Sequence, residues 1–200
     1  MTSLISRLSE QEQRELLEDI NYLNMSEIKT FCKKHSIPYS IWIETKDGRL
    51  KKTLEDDRKG IILNRIRHYL TTGEIPPATC FPANVACFDD VENIKETDLF
   101  FYGQYNKNSS AIIGLLKKLT NGKFKNGAIA RILAREFWSK AIAPTYLEYA
   151  QAWIKAYESH SAPNPEWAFL SDLASGKDAS NWKQLRINKA NQVLSILNSL

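Results

Sequence analysis

Ser26-Glu27-Ile28-Lys29-Thr30-Phe31-Cys32-Lys33-Lys34-His35-Ser36-Ile37-Pro38 reads as one helix and its exit loop. Ser26 is a good N-cap, because its hydroxyl can accept a bond from an orphan amide of the first turn, and Glu27 suits the positive end of the helix dipole. Ile28, Phe31 and Cys32 fall at i, i+3 and i+4, a single apolar stripe. Pro38 cannot continue a helix and closes the segment. Upstream, Ser9 precedes Glu10, Glu12 and Glu15, and Leu16, Leu17 and Ile20 supply a second stripe. Downstream, residues 39–55 are mixed: Ile41, Trp42 and Ile43 suit a short extended piece, and Asp47-Gly48 reads as a turn. A third helix is expected from near Asp56 to Thr72, just before Gly73, since Ile62, Leu63, Ile66, Tyr69 and Leu70 share one face.

Further along, residues 74–88 hold Pro76, Pro77 and Pro82 without any apolar period, which predicts a linker, and an acidic stretch follows from Asp89 to Asp98. Asn108 or Ser109 then caps a run through Ile112, Ile113, Leu115, Leu116 and Leu119 that Asn121-Gly122 stops. Another helix is expected from Ala128 to about Ile142, and Pro144 opens one striped by Tyr146, Leu147, Ala150, Trp153, Ile154 and Tyr157. Asn164-Pro165 predicts a short helix through Leu173, and the last helix runs from about Ser180 to Ser199. No internal repeat of about 20–50 residues is visible.

Composition sets the class. The 200 residues carry 27 Lys+Arg against 23 Asp+Glu, a formal +4, with 43% hydrophobic residues. That is too apolar and too weakly charged for disorder. No run of about 18 apolar residues predicts a membrane span, and Met1–Glu10 lacks the features of a secretory signal. Cys32, Cys80 and Cys87 form no C-x-x-C pair, and only His35, His68 and His160 accompany them, so neither a zinc pattern nor a cofactor is expected. Reduced thiols and a cytoplasmic location are the expectation.

The helices around Ser26 and Arg58 resemble a SAP domain. Ser26–Pro38 is similar to the first helix and exit loop of that module, and Lys59-Gly60-Ile61-Ile62-Leu63-Asn64-Arg65-Ile66 to its second helix. The tail Arg67–Gly73 resembles the end of bacterial SAP-like domains. The likeness spans about residues 24–73 and implies a helix–loop–helix unit that binds DNA mostly through backbone contacts. One departure is the long insertion Ser40–Asp57, where SAP loops are short. The expected architecture is therefore mainly α: a SAP-like helix–extended loop–helix unit within residues 1–75, a proline-bearing and acidic connector over 76–106, and a helical bundle over 107–200.

The charge distribution points the same way. Segment 28–70 holds eleven bases against five acids, a net +6, and segment 107–140 holds eight bases against Glu136, a net +7. Clustered cations suit phosphates because each neutralised phosphate releases counterions. The expected contacts in the first segment are Lys29, Lys33, Lys34, Arg49, Lys51, Lys52, Arg58, Lys59, Arg65 and Arg67. In the second, a basic helical hairpin, they are Lys117, Lys118, Lys123, Lys125, Arg131 and Arg135. No trio of Asn, Gln or Arg stands at base-reading spacing, so the expected partner is duplex DNA with low sequence specificity. The plain alternative is a set of solvated faces whose stems cover the core.

Other readings are carried alongside. Trp138, Trp153, Trp167 and Trp182 fall in helical stripes, where aromatics are usually core, but an aromatic-rich C-terminal bundle could instead dock a protein partner as an adaptor. Tyr39 and Trp42 either stack on unpaired bases or anchor the insertion. Asp89, Asp90 and Glu92 could hold a divalent cation for phosphoryl transfer, though no shaped metal loop is visible. The chain has no phosphate-cradling glycine loop, no G-x-S-x-G and no H-E-x-x-H, so no catalytic residue is assigned.

Overall fold

The computed structural model describes residues 3–89, 93–105, 109–159 and 179–200. These form seven α-helices and one three-stranded sheet, so the chain is mostly α. No described helix is long and apolar enough to cross a membrane. The chain divides into two units: Met1–Ser40, Glu55–Ala78 and Ala162–Leu200 in the first, and Ile41–Leu54 and Thr79–Ser161 in the second.

In the first unit, helix α1 spans Glu10–Asp19 and a 3-10 turn Ile20–Tyr22 follows. Ser9 caps α1 as expected, in a reciprocal box with Glu12. Helix α2, Met25–Lys34, corrects the expected cap: Asn24 accepts from the Glu27 amide at 2.9 Å, and the Glu27 carboxylate accepts from the Asn24 amide at 2.7 Å. Ser26 lies inside the first turn. Such a cap contributes about 1 kcal/mol. Helix α3 runs Lys59–Thr72 rather than from Asp56, because Glu55 and Asp56 finish a strand, and Gly73 closes it in the left-handed region at φ 76°. The α2 stripe Ile28, Phe31 and Cys32 meets Ile62, Leu63, Ile66 and Leu70 of α3 in one buried core.

The same core takes in the last helix, α7, Ala179–Ser199, through Ala190, Val193 and Leu197. Arg186 pairs with Glu27 and donates to the Tyr22 carbonyl at 2.9 Å, and Lys189 meets Asp19 at 2.7 Å. The expected 107–200 bundle is corrected here: i, i+3, i+7 spacing gives α7 an apolar face, and the first unit covers it. The short helix expected at 164–173, with Trp167, and the Trp182 side chain lie outside the described residues.

The second unit is built on the hairpin of strands β1, Ser40–Glu44, and β2, Leu50–Asp56, whose outermost residues belong to the first unit. Strand β3, Cys80–Phe81, runs parallel to β1 in the order β2-β1-β3, pairing Trp42 with Cys80 and Ile43 with Phe81. Ile41 and Ile43 alternate inward against α4 (Ser110–Leu119), α5 (Ala128–Ser139) and α6 (Tyr146–Glu158). Ser109 caps α4; Thr145 caps α6 in a box with Glu148, so that helix opens at Tyr146 rather than at Pro144. The expected connector is also corrected. Phe81, Val85, Phe100 and Tyr102 are buried in this core, and the Trp138 indole donates to the Phe100 carbonyl at 2.9 Å. Phe100 stacks on Tyr149 with centroids 4.2 Å apart. Gly103, at φ 96°, is required by close approach, since a Cβ there would sit 2.5 Å from the Cys87 carbonyl oxygen.

Candidate nucleic-acid interface

The expected cations sort by burial into two kinds. In the first unit most are structural. The Arg65 guanidinium pairs with Asp57 at 2.7 Å and donates to the carbonyls of Pro38 at 3.1 Å and Pro77 at 3.0 Å, with the two side chains only 8% and 2% exposed. Arg65, expected among the DNA contacts, is thus buried: the arginine fastens the loop after α2 and the segment after α3 to the helix between them. Arg67 donates to the Leu17 carbonyl and the Asn64 side-chain oxygen, each at 2.9 Å. The Lys59 ammonium donates to the Asn21 carbonyl. Its pKa is pushed down to about 8, by burial first and by the Arg186 charge second, with Glu27 opposing.

Lys29 pairs with Asp56 and lies 5.9 Å from the centroid of the Tyr39 ring. Tyr39 packs partly buried against the core, which is the anchoring alternative rather than base stacking. Arg58 stands half-buried at the N-cap of α3. Only Lys33 and Lys34, in the last turn of α2, are exposed among the expected contacts of this unit. The nearby Cys32 thiol is buried and pushed up to about 11 by that burial, which leaves it an inert core group.

The second unit presents its cations to water. Lys46, Arg49, Lys51 and Lys52 crowd the β1–β2 turn, all exposed, around an open concavity that Thr45, Asp47 and Leu50 also line. Strand β2 is an edge strand, on which Lys51 and Lys52 are exposed together with Leu50 and Leu54. Lys46 was not among the expected contacts; the Asp47-Gly48 turn is the signal that places it beside Arg49. Lys117 and Lys118 end α4, Lys123 and Lys125 occupy the loop to α5, and Arg131 stands on α5, all exposed. Arg135, one turn on, is half-buried. Lys123 meets Glu158 at 3.9 Å, a loose surface pair. From Lys117 to Arg131 there is no acid.

Other candidate chemistry lands as follows. Trp138, Tyr149 and Trp153 are buried in the core of the second unit. Asp89 is exposed beside the Cys87 thiol, which donates to it at 3.4 Å, whereas Asp90 and Glu92 lie outside the described residues. Among the described residues no cluster of His, Cys, Asp and Glu could hold a metal. No protein-family model, curated protein or solved structure matches this chain.

Proposed function

We propose that this chain binds duplex DNA through the phosphate backbone with little sequence preference. The observation that carries the reading is two runs of exposed cations in the second unit: Lys46, Arg49, Lys51 and Lys52 on the β hairpin, and Lys117, Lys118, Lys123, Lys125 and Arg131 on α4, its loop and α5. Asp47 is the one acid interspersed with them in either stretch. Exposed ammonium and guanidinium groups attract a polyanion by releasing its condensed counterions, and that gain depends on charge density rather than base sequence. Lys33 and Lys34 offer a further contact on the SAP-like helix pair, whose two helices pack against each other. Three free cysteines suit a reducing, cytoplasmic setting.

The test is fluorescence anisotropy of a labelled random-sequence duplex at about 50 and about 200 mM salt. Binding in the micromolar class at the lower salt, weakening steeply at the higher and insensitive to sequence, is the expected result. No binding at the lower salt overturns the reading.

A further inference from the structure

The β1–β2 turn is organised around an anion of its own. Asp47 accepts from Arg49 Nε at 2.6 Å, and Arg49 Nη2 pairs with the same carboxylate oxygen. Thr45 donates its hydroxyl to the other oxygen, and the Gly48 amide closes the turn on the Thr45 carbonyl at 2.8 Å. The bonds that Asp47 accepts hold its carboxyl below the usual range, the Arg49 side chain contributing most and the Thr45 hydroxyl next. Gly48, at φ 77°, has no described heavy atom within 4 Å of where a Cβ would stand. Arg49 is 85% exposed and Asp47 49% exposed. Lys46, Lys51 and Lys52 stand around this pair.

We propose that the tip is a seat for a DNA backbone phosphate, and that Asp47 is its built-in competitor. The carboxylate occupies the position that a phosphate oxygen takes on arrival, because a guanidinium presents the same fork to either anion. An ion pair this exposed is weakly held. A phosphodiester on a polyanion displaces it because the neighbouring phosphates engage Lys46, Lys51 and Lys52 at the same time, which an isolated small anion cannot do. Until then Asp47 keeps Arg49 oriented and lowers the net charge of the tip. This inference rests on the DNA-binding reading and names the element that carries it.

The experiment uses the full chain and a labelled duplex of about 20 base pairs titrated across salt. Asp47→Asn keeps the side-chain shape while removing the charge. It is expected to tighten binding about three- to tenfold and to steepen the salt slope by about one unit, one more phosphate being engaged. The charge-matched Glu18→Gln, on an exposed position of α1, should shift binding less than about twofold. Replacing Lys46, Arg49, Lys51 and Lys52 together by Gln should weaken binding more than about tenfold and flatten the slope by about two to four units. Circular dichroism and thermal unfolding should match wild type for every variant, since all the sites are exposed.

If wild type binds but Asp47→Asn behaves like Glu18→Gln, or the fourfold variant keeps the wild-type slope, the seat is overturned and DNA binding stands. If wild type fails to bind at low salt, both readings fall. Inorganic tripolyphosphate serves as competitor: displacement of the duplex only at large excess is expected. Tripolyphosphate binding as tightly as the duplex, with the same response to Asp47→Asn, would assign the seat to free polyphosphate and overturn the DNA assignment.

Discussion

Two aspartate–arginine pairs, Asp57–Arg65 in the first unit and Asp47–Arg49 in the second, share one chemistry and serve opposite ends. The first is sealed from water at 2% and 8% exposure and gains two backbone carbonyls as further acceptors. The second stands at a hairpin tip with its arginine 85% exposed. Inside the protein the attraction is strong, and losing either partner strands a buried charge; in water the attraction is screened and the partners exchange readily. The difference teaches that a basic stretch of sequence is two populations. Arg65, Arg67 and Lys59 hold the first unit together from buried or half-buried positions, whereas the hairpin cations stand exposed.

Removing the buried arginine is the hardest blow to that contrast. Arg65→Ala should cost about 3–5 kcal/mol, since it leaves Asp57 charged and buried without its counter-ion. Urea denaturation followed by circular dichroism measures it. A cost below about 1 kcal/mol would put this pair in the surface class and erase the distinction. Leu197→Ala comes next. Its side chain is fully buried with those of α1, α2 and α3, so the cavity should cost about 2–5 kcal/mol by the same assay. A near-neutral result would detach α7 from the first unit.

Particular residues show which features were legible in sequence. The Ser9 box, the Asp47-Gly48 turn, the inward Ile41 and Ile43, and the Gly73 stop depend on neighbours within a few positions, and sequence carries such neighbours directly. Asn24 shows the limit: two residues with good capping side chains stand two apart, and the reciprocal bond to Glu27 selects the one three residues before it. The segment holding Phe81 and Phe100 read as linker because prolines erase its period, while its burial comes from α5 and α6, far along the chain. For α7 the sequence gives the helix but not what it packs on; its Arg186 meets Glu27, 159 positions away. The candidate site divides likewise: its charges are plain in sequence, and their exposure is decided by tertiary packing.

Two smaller effects sharpen the comparison. Lys59 has a folded pKa of about 8 against an ordinary value of 10.5. Between those values the unfolded chain binds the extra proton, so stability rises with pH across that window, and below pH 8 the gain is absent. Lys59→Met should therefore flatten the rise in urea midpoint between pH 8 and 10; an unchanged rise would mean that this amine is hydrated like a surface lysine. The smallest effect belongs to the exposed pair itself. Arg49→Ala should leave the urea midpoint where it is, because neither partner loses a buried contact, while duplex binding weakens and its salt slope flattens. A midpoint that falls with Arg49→Ala would make the hairpin pair structural, and the cations of the second unit would then belong with those of the first.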